Sequence, residues 1–156
     1  MRIATAADHA GFELKNSLVE LIRNLGHEVV DLGACQYDAL DDYPDFSELL
    51  GKAIQEERVD RGVLICGSGV GASIAACKMK GVRAAVCHDT YSAHQGVEHD
   101  DMNVLVLGGR IIGLEVAREC VRAYLGAVFS NDPRHVRRLI KVLAIEARAT
   151  NPDQPE

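Results

Sequence analysis

A cysteine set among glycines is the most chemically suggestive feature of the sequence. Cys66 opens the run Cys66-Gly67-Ser68-Gly69-Val70-Gly71. Glycines at a strand-to-helix turn let backbone N–H groups converge on an anion, and the helix dipole favours negative charge there. Such a turn can hold a phosphate or the oxyanion of an enediolate. A sulfur at the edge of the turn lies where the helix N-terminus favours thiolate. Cys66 is therefore a candidate base, weighed evenly against a strand-end cysteine that packs as a small hydrophobe. Cys35, Cys77, Cys87 and Cys120 read as packing cysteines.

Other reactive groups cluster in short stretches. Asp8-His9 can orient a substrate hydroxyl or handle a proton, while Asp8 also suits a helix cap. His88, Asp89, His94, His99, Asp100 and Asp101 form a denser set, without a zinc spacing such as H-E-x-x-H. No metal is expected. Within that set His99 suits acid–base work near neutral pH, and His88 and His94 read as surface or helix-face residues. Arg134 and Arg138 stand four apart after Asp132-Pro133 and so share a helix face. They read equally as a phosphate clamp or as a solvated charged face, and Arg110 can join the clamp. Gly67, Gly69 and Ala72 also satisfy G-x-G-x-x-A, with Asp89 further on. A dinucleotide site is disfavoured, because the glycines follow the third strand and no second domain remains.

These groups must be placed by an alternation of strands and helices. Strands are expected at Arg2–Ala7, Glu28–Leu32, Gly62–Cys66, Val82–Cys87 and Asn103–Leu107. Phe12, Leu14, Leu18, Leu21, Ile22 and Leu25 recur at helical spacing up to Gly26. Further helices are expected from Tyr43-Pro44 to about Glu57, from the glycine turn to about Met79, from Thr90, from Gly113 to Leu125, and from Pro133. This pattern gives an α/β fold, a five-stranded parallel sheet covered on both faces by helices. Ligands bind beyond the carboxyl ends of such strands. That edge gathers Asp8-His9, Cys66–Gly71, His88-Asp89 and Gly108–Arg110.

The 156 residues suit one domain, residues 1–148, with a frayed tail at 149–156. The net charge of -6 argues against a nucleic-acid or membrane surface, and the 4% aromatic content leaves little for base stacking. No apolar run approaches the ~20 residues of a membrane span. Five cysteines without paired spacing fit a reduced, cytoplasmic setting.

Several motifs together carry a resemblance. They are A-A-D-H-A-G-F-E-L-K near the start, D-Y-P-D-F at Asp42–Phe46 and L-I-C-G-S-G-V-G-A-S-I-A-A at Leu64–Ala76. G-V-R-A-A-V-C at Gly81–Cys87, N-V-L-V-L-G-G-R at Asn103–Arg110 and R-H-V-R-R at Arg134–Arg138 follow in order. The chain resembles the ribose-5-phosphate isomerase B family, which also contains galactose-6-phosphate isomerase subunits. The resemblance implies a flavodoxin-like or Rossmann-like three-layer sandwich, no cofactor, and a homodimer or dimer of dimers with active sites at the interface. It implies an aldose–ketose isomerase acting on ribose 5-phosphate or a close aldose phosphate through a cis-enediol. A galactose-6-phosphate or other aldose-phosphate isomerase, or a non-catalytic sugar-phosphate binder, is the alternative. Cys66 would be the base, Ser68 would assist proton transfer, and Gly67, Gly69 and Gly71 would offer N–H groups to the enediolate. His99 would open the ring. Asp8 and His9 would bind hydroxyls, Tyr43 would line the pocket, and Arg110, Arg134 and Arg138 would bind phosphate. His99 and Arg110 would reach the site from the neighbouring subunit. Two positions depart from the family pattern: Asp100 and Cys77 stand where Asn is common. An ionised Asp only accepts hydrogen bonds, so Asp100, if it meets the substrate, bears on the choice of sugar.

Overall fold

The computed structural model describes residues 1–150. In chain order the elements are β1 (Arg2–Ala7), α1 (Phe12–Asn24), β2 (Glu28–Asp31), α2 (Tyr43–Gln55), β3 (Arg61–Cys66) and α3 (Val70–Ala76). They continue with β4 (Ala84–Val86), α4 (Thr90–Asp100), β5 (Val104–Gly108), α5 (Leu114–Gly126) and α6 (Pro133–Thr150). The frayed tail expected from Ala149 falls mostly outside the described residues, and α6 continues to Thr150.

All strand pairs are parallel, in the order β2-β1-β3-β5-β4. This follows the flavodoxin order 2-1-3-4-5 through β3, then places β5 inside and β4 at the edge. The chain steps outward from β1 to β2 and then returns to the other side of β1 to form β3. The reversal leaves a crevice between the carboxyl ends of β1 and β3.

Period-two alternation divides each central strand between two cores. Val63 and Ile65 of β3 face one core with Leu18 and Ile22 of α1, Val97 of α4 and Val121 of α5. Leu64 and Cys66 face the other, with Leu50 and Ala53 of α2 and Ala72 and Ala76 of α3. Each fully buried leucine or isoleucine contributes about 1.5–3 kcal/mol, so the two cores hold the central strands firmly. Helices on both faces explain why β5 and β3 after Arg61 are apolar.

The ends of the elements differ from expectation where local turns intervene. α3 stops at Ala76 rather than near Met79: the N–H groups of Lys78 and Met79 bond three residues back, to Ala75 and Ala76. That tightened turn leads through Gly81 into β4, which is only three residues long. Lys15 has a further structural role. Buried on α1, its Nζ reaches both Asp31 carboxylate oxygens at 2.7 Å and the Ala34 carbonyl at 2.9 Å. It fastens the start of the loop that leads to α2.

Candidate active site

Strand register sets the floor of the site. Ala7 pairs with Ile65 and Cys66 with Gly108, so the residues that follow β1, β3 and β5 emerge side by side. The loops are tied together as well: Gly109 N–H donates to the Cys66 carbonyl at 2.8 Å and Arg110 N–H to the Gly67 carbonyl at 3.0 Å. Above them opens a cavity of about 380 Å³. Asp8, His9, Tyr43, Cys66, Gly67, Ser68, Gly71 and Arg110 all line it.

Cys66 is buried at the end of β3, and the Gly69 N–H donates to its Sγ at 3.2 Å. Gly69 has φ +84°, a left-handed conformation that glycine adopts without penalty. This conformation aims its N–H back at the sulfur. Ser68 is exposed, and its Oγ accepts from the Val70 N–H at 3.3 Å. Gly71 makes room for the first residue of α2, since a Cβ there would stand 2.7 Å from Tyr43 Cζ.

Asp8 is buried after β1, and its Oδ1 accepts from the N–H groups of Ala10 at 3.0 Å and Gly11 at 3.1 Å. It thus ties the turn that precedes α1 rather than capping the helix, whose N-cap is Gly11 without a side-chain cap hydrogen bond, and it also faces the cavity. Burial pushes its carboxyl above the ordinary value, and nearby Asp41 adds to the rise. The Gly11 and Ala10 N–H groups and the charge of His9 pull the other way. His9 is held by Asp41, with Nδ1 2.7 Å from Asp41 Oδ1.

Arg110 corrects one expectation. It lies in the cavity of its own chain, because the Arg110–Gly67 backbone bond fixes it beside the glycine turn. His99, Arg134 and Arg138 are elsewhere. α4 runs back from the carboxyl end of β4 to the amino end of β5, so His99 lies at the opposite edge of the sheet. Its ring stacks on His135 at 4.0 Å between centroids, and Gln95 Nε2 stands 2.8 Å from its Nδ1. Arg134 Nε donates to His135 Nε2 at 2.9 Å, and His135 Nδ1 lies 2.7 Å from Ser130 Oγ. Burial lowers the His135 pKa, and the neighbouring His99, Arg134 and Arg138 lower it further. The Arg134–Arg138 face is thus built around a buried imidazole that reads in the sequence only as added local charge.

Asp100 is not in the Cys66 cavity either. It lines a separate, mainly apolar cavity of about 640 Å³ between β4, α4 and α6, together with Cys77. Both departures from the family pattern therefore face one space. His88, expected at the surface or on a helix face, instead accepts the Gly108 N–H on its Nε2 at 2.9 Å and braces the end of β5. Sequence reasoning missed Asp41, whose contact with His9 spans 32 residues. No motif or period links two loop residues so far apart.

The comparisons with known proteins agree with this fold. The profile of the Ribose/Galactose Isomerase family matches residues 3–142. Ribose-5-phosphate isomerase B of Escherichia coli strain K12 is 44% identical over 147 residues, covering 94% of this chain and 97% of that protein. The ribose-5-phosphate isomerase B structure from Clostridium thermocellum superposes with a TM-score of 0.92 at 40% identity, covering 96% of this chain and 99% of that one. The Mycoplasma genitalium enzyme, solved with bound ribulose-5-phosphate, gives a TM-score of 0.88 at 39% identity, covering 94% and 96%. With a match across nearly its whole length and the glycine turn beside Cys66 in place, this chain belongs to the ribose/galactose isomerase family.

Proposed function

We propose that this protein interconverts ribose 5-phosphate and ribulose 5-phosphate, with Cys66 as the base. The observation that carries the reading is the buried Cys66 sulfur beside a glycine turn, in a cavity that also holds Asp8, His9, Tyr43 and Arg110. In the open-chain aldose, the sulfur takes the C2 proton and the C–H electrons form the C1–C2 double bond. The carbonyl electrons move onto O1, where the N–H groups of Gly67–Gly71 receive the negative charge. Ser68 relays a proton so that O1 gains one and O2 loses one. The Cys66 thiol then returns its proton to C1, leaving the carbonyl at C2. General acid–base transfer supplies ~10²–10⁴-fold, and the N–H groups must supply much of the rest.

The reading includes a second copy of the chain. The His99, Arg134 and Arg138 cluster lies at the opposite sheet edge from Cys66, so a two-fold dimer would bring one protomer's cluster to its partner's cavity. The apolar side chains of α6 support this, because Ile140, Val142, Leu143 and Ile145 are exposed in the single chain. In such a dimer His99 opens the sugar ring, while Arg134 and Arg138 join Arg110 on the phosphate. All five cysteines are free, which fits a reducing cytoplasmic setting. Among the described residues no helix is long and apolar enough to cross a membrane.

Incubation with ribose 5-phosphate in deuterated water, followed by NMR, tests the reaction. Ribulose 5-phosphate should accumulate while deuterium enters the substrate at C2. Binding without exchange would replace the isomerase with a sugar-phosphate-binding protein.

A further inference from the structure

Behind the cavity stands a carboxylate that does not itself line it. Asp41 lies in the loop between β2 and α2, with its side chain only 12% exposed. Its Oδ1 accepts the backbone N–H of His9 at 2.9 Å and faces His9 Nδ1 at 2.7 Å. One oxygen therefore holds both the loop and the ring. An ionised carboxylate can only accept, so Nδ1 must carry a proton and Nε2 is the ring nitrogen left for the cavity. Tyr37 meets the imidazole edge-on, with 6.3 Å between ring centroids. Asp41 Oδ2 is buried with no hydrogen-bond donor among the described residues.

We infer that Asp41 is a positioning residue for the isomerase site: it holds His9 as the Nδ1–H tautomer with Nε2 presented to the sugar phosphate. The assignment rests on the isomerase reading for its kinetic consequence, although not for its geometry. Asp41 touches no reacting atom and acts through His9 alone. Its loop is fastened at the other end by Lys15 through Asp31 and Ala34. The ring therefore sits between two anchored segments.

The test pairs a tautomer measurement with a double-mutant cycle. In the wild-type protein, the two-bond ¹H–¹⁵N couplings of the neutral His9 ring should show Nδ1 protonated. In Asp41→Ala the ring should pass to a mixture of tautomers, and kcat/KM should fall about 10-fold or more, as for partners that orient metal-bound imidazoles. In a His9→Gln background the same Asp41→Ala change should cost clearly less, because the ring it positions is gone and only the bond to the residue 9 backbone N–H remains to be lost. Asp41→Asn keeps an acceptor oxygen and should recover much of the loss. Equal losses in both backgrounds would overturn the proposal. So would a wild-type ring protonated at Nε2, a result that requires no variant to fold. A wild-type protein with the Nδ1–H tautomer but no turnover would refute the isomerase reading while leaving the Asp41–His9 arrangement intact.

Discussion

Mixing two inactive variants tests whether the catalytic groups come from one chain or two. Cys66→Ser removes the proposed base in the cavity, and His99→Asn removes the proposed ring-opening group at the opposite sheet edge. Each homodimer should lose ~10²–10⁴-fold in turnover, the usual contribution of an acid–base group. After denaturation and joint refolding at equal concentration, random pairing makes half of the dimers mixed. In a mixed dimer, Cys66 of the His99→Asn chain meets the intact His99 of the Cys66→Ser chain, so one of two sites is whole. Activity should therefore rise to about one quarter of wild type. If both groups served the same chain, no mixed dimer would contain a whole site and mixing would yield nothing. The structure supplies an internal control, because Arg110 shares its own chain's cavity with Cys66. Cys66→Ser mixed with Arg110→Ala should show no rescue. The assay is initial-rate turnover of ribose 5-phosphate, with exchange verified by native mass spectrometry of differently tagged chains. Verified exchange with no gain for the Cys66/His99 pair would refute the shared-site reasoning.

Other perturbations probe single contacts. Gly71→Ala places a Cβ 2.7 Å from Tyr43 Cζ, so the tyrosine must move out of the cavity wall. KM for the sugar phosphate should rise severalfold with the fold retained, and an unchanged KM would remove Tyr43 from the binding surface. Lys15→Met keeps the buried stem but deletes the contacts to Asp31 and Ala34. Because the Asp31 side chain is 33% exposed, water partly replaces the lost partner. The cost should be about 2 kcal/mol, within the range for hydrogen bonds to charged groups. That should lower Tm by roughly 4–8 °C in a domain of this size, as read by calorimetry. Asp8→Asn should do the reverse at neutral pH. The Asp8 carboxyl is raised in the folded protein, so its effect on stability is favourable when protonated and is lost as pH rises through the folded value. The amide keeps an acceptor for Ala10 and Gly11 but carries no buried charge. Tm at pH 7 should therefore exceed wild type, the gain should shrink as pH falls into the ordinary carboxylate range, and activity should drop. A constant gain across pH would refute the charge argument.

The fold was legible because its signals are local and repeated. The apolar runs of β3 and β5 and the helical spacing in α1 each depend on residues within one element. Element ends were less legible. The turn of α3 into β4 depends on Gly81 and on where the edge strand must start, which no period in the sequence reports. The site divided in the same manner. Cys66, Ser68 and the glycines announce themselves within six residues. Asp41 with His9, and His135 with Arg134 and His99, are pairings created by tertiary contact. The strand order was equally out of reach, because β4 and β5 exchange places without any change in local patterning.

In the proposed dimer, the second chain would matter to the chemistry rather than only to binding. Ser68 and Arg110 are exposed, so the cavity stands open above the Cys66 sulfur. Removing a proton from C2 creates charge on the enediolate. Donors act on that charge most strongly where water is excluded. In the proposed reaction the Gly67–Gly71 turn would supply the donors but not the cover. A partner's α4–α6 corner would bring the guanidinium groups of Arg134 and Arg138 and displace solvent at once. If the chain dimerises as proposed, loosening that dimer at α6, for instance by Ile140→Asp, should lower kcat more than it raises KM. A variant that becomes monomeric yet keeps kcat, with only KM raised, would show that the partner merely grips phosphate and that the glycine turn works uncovered.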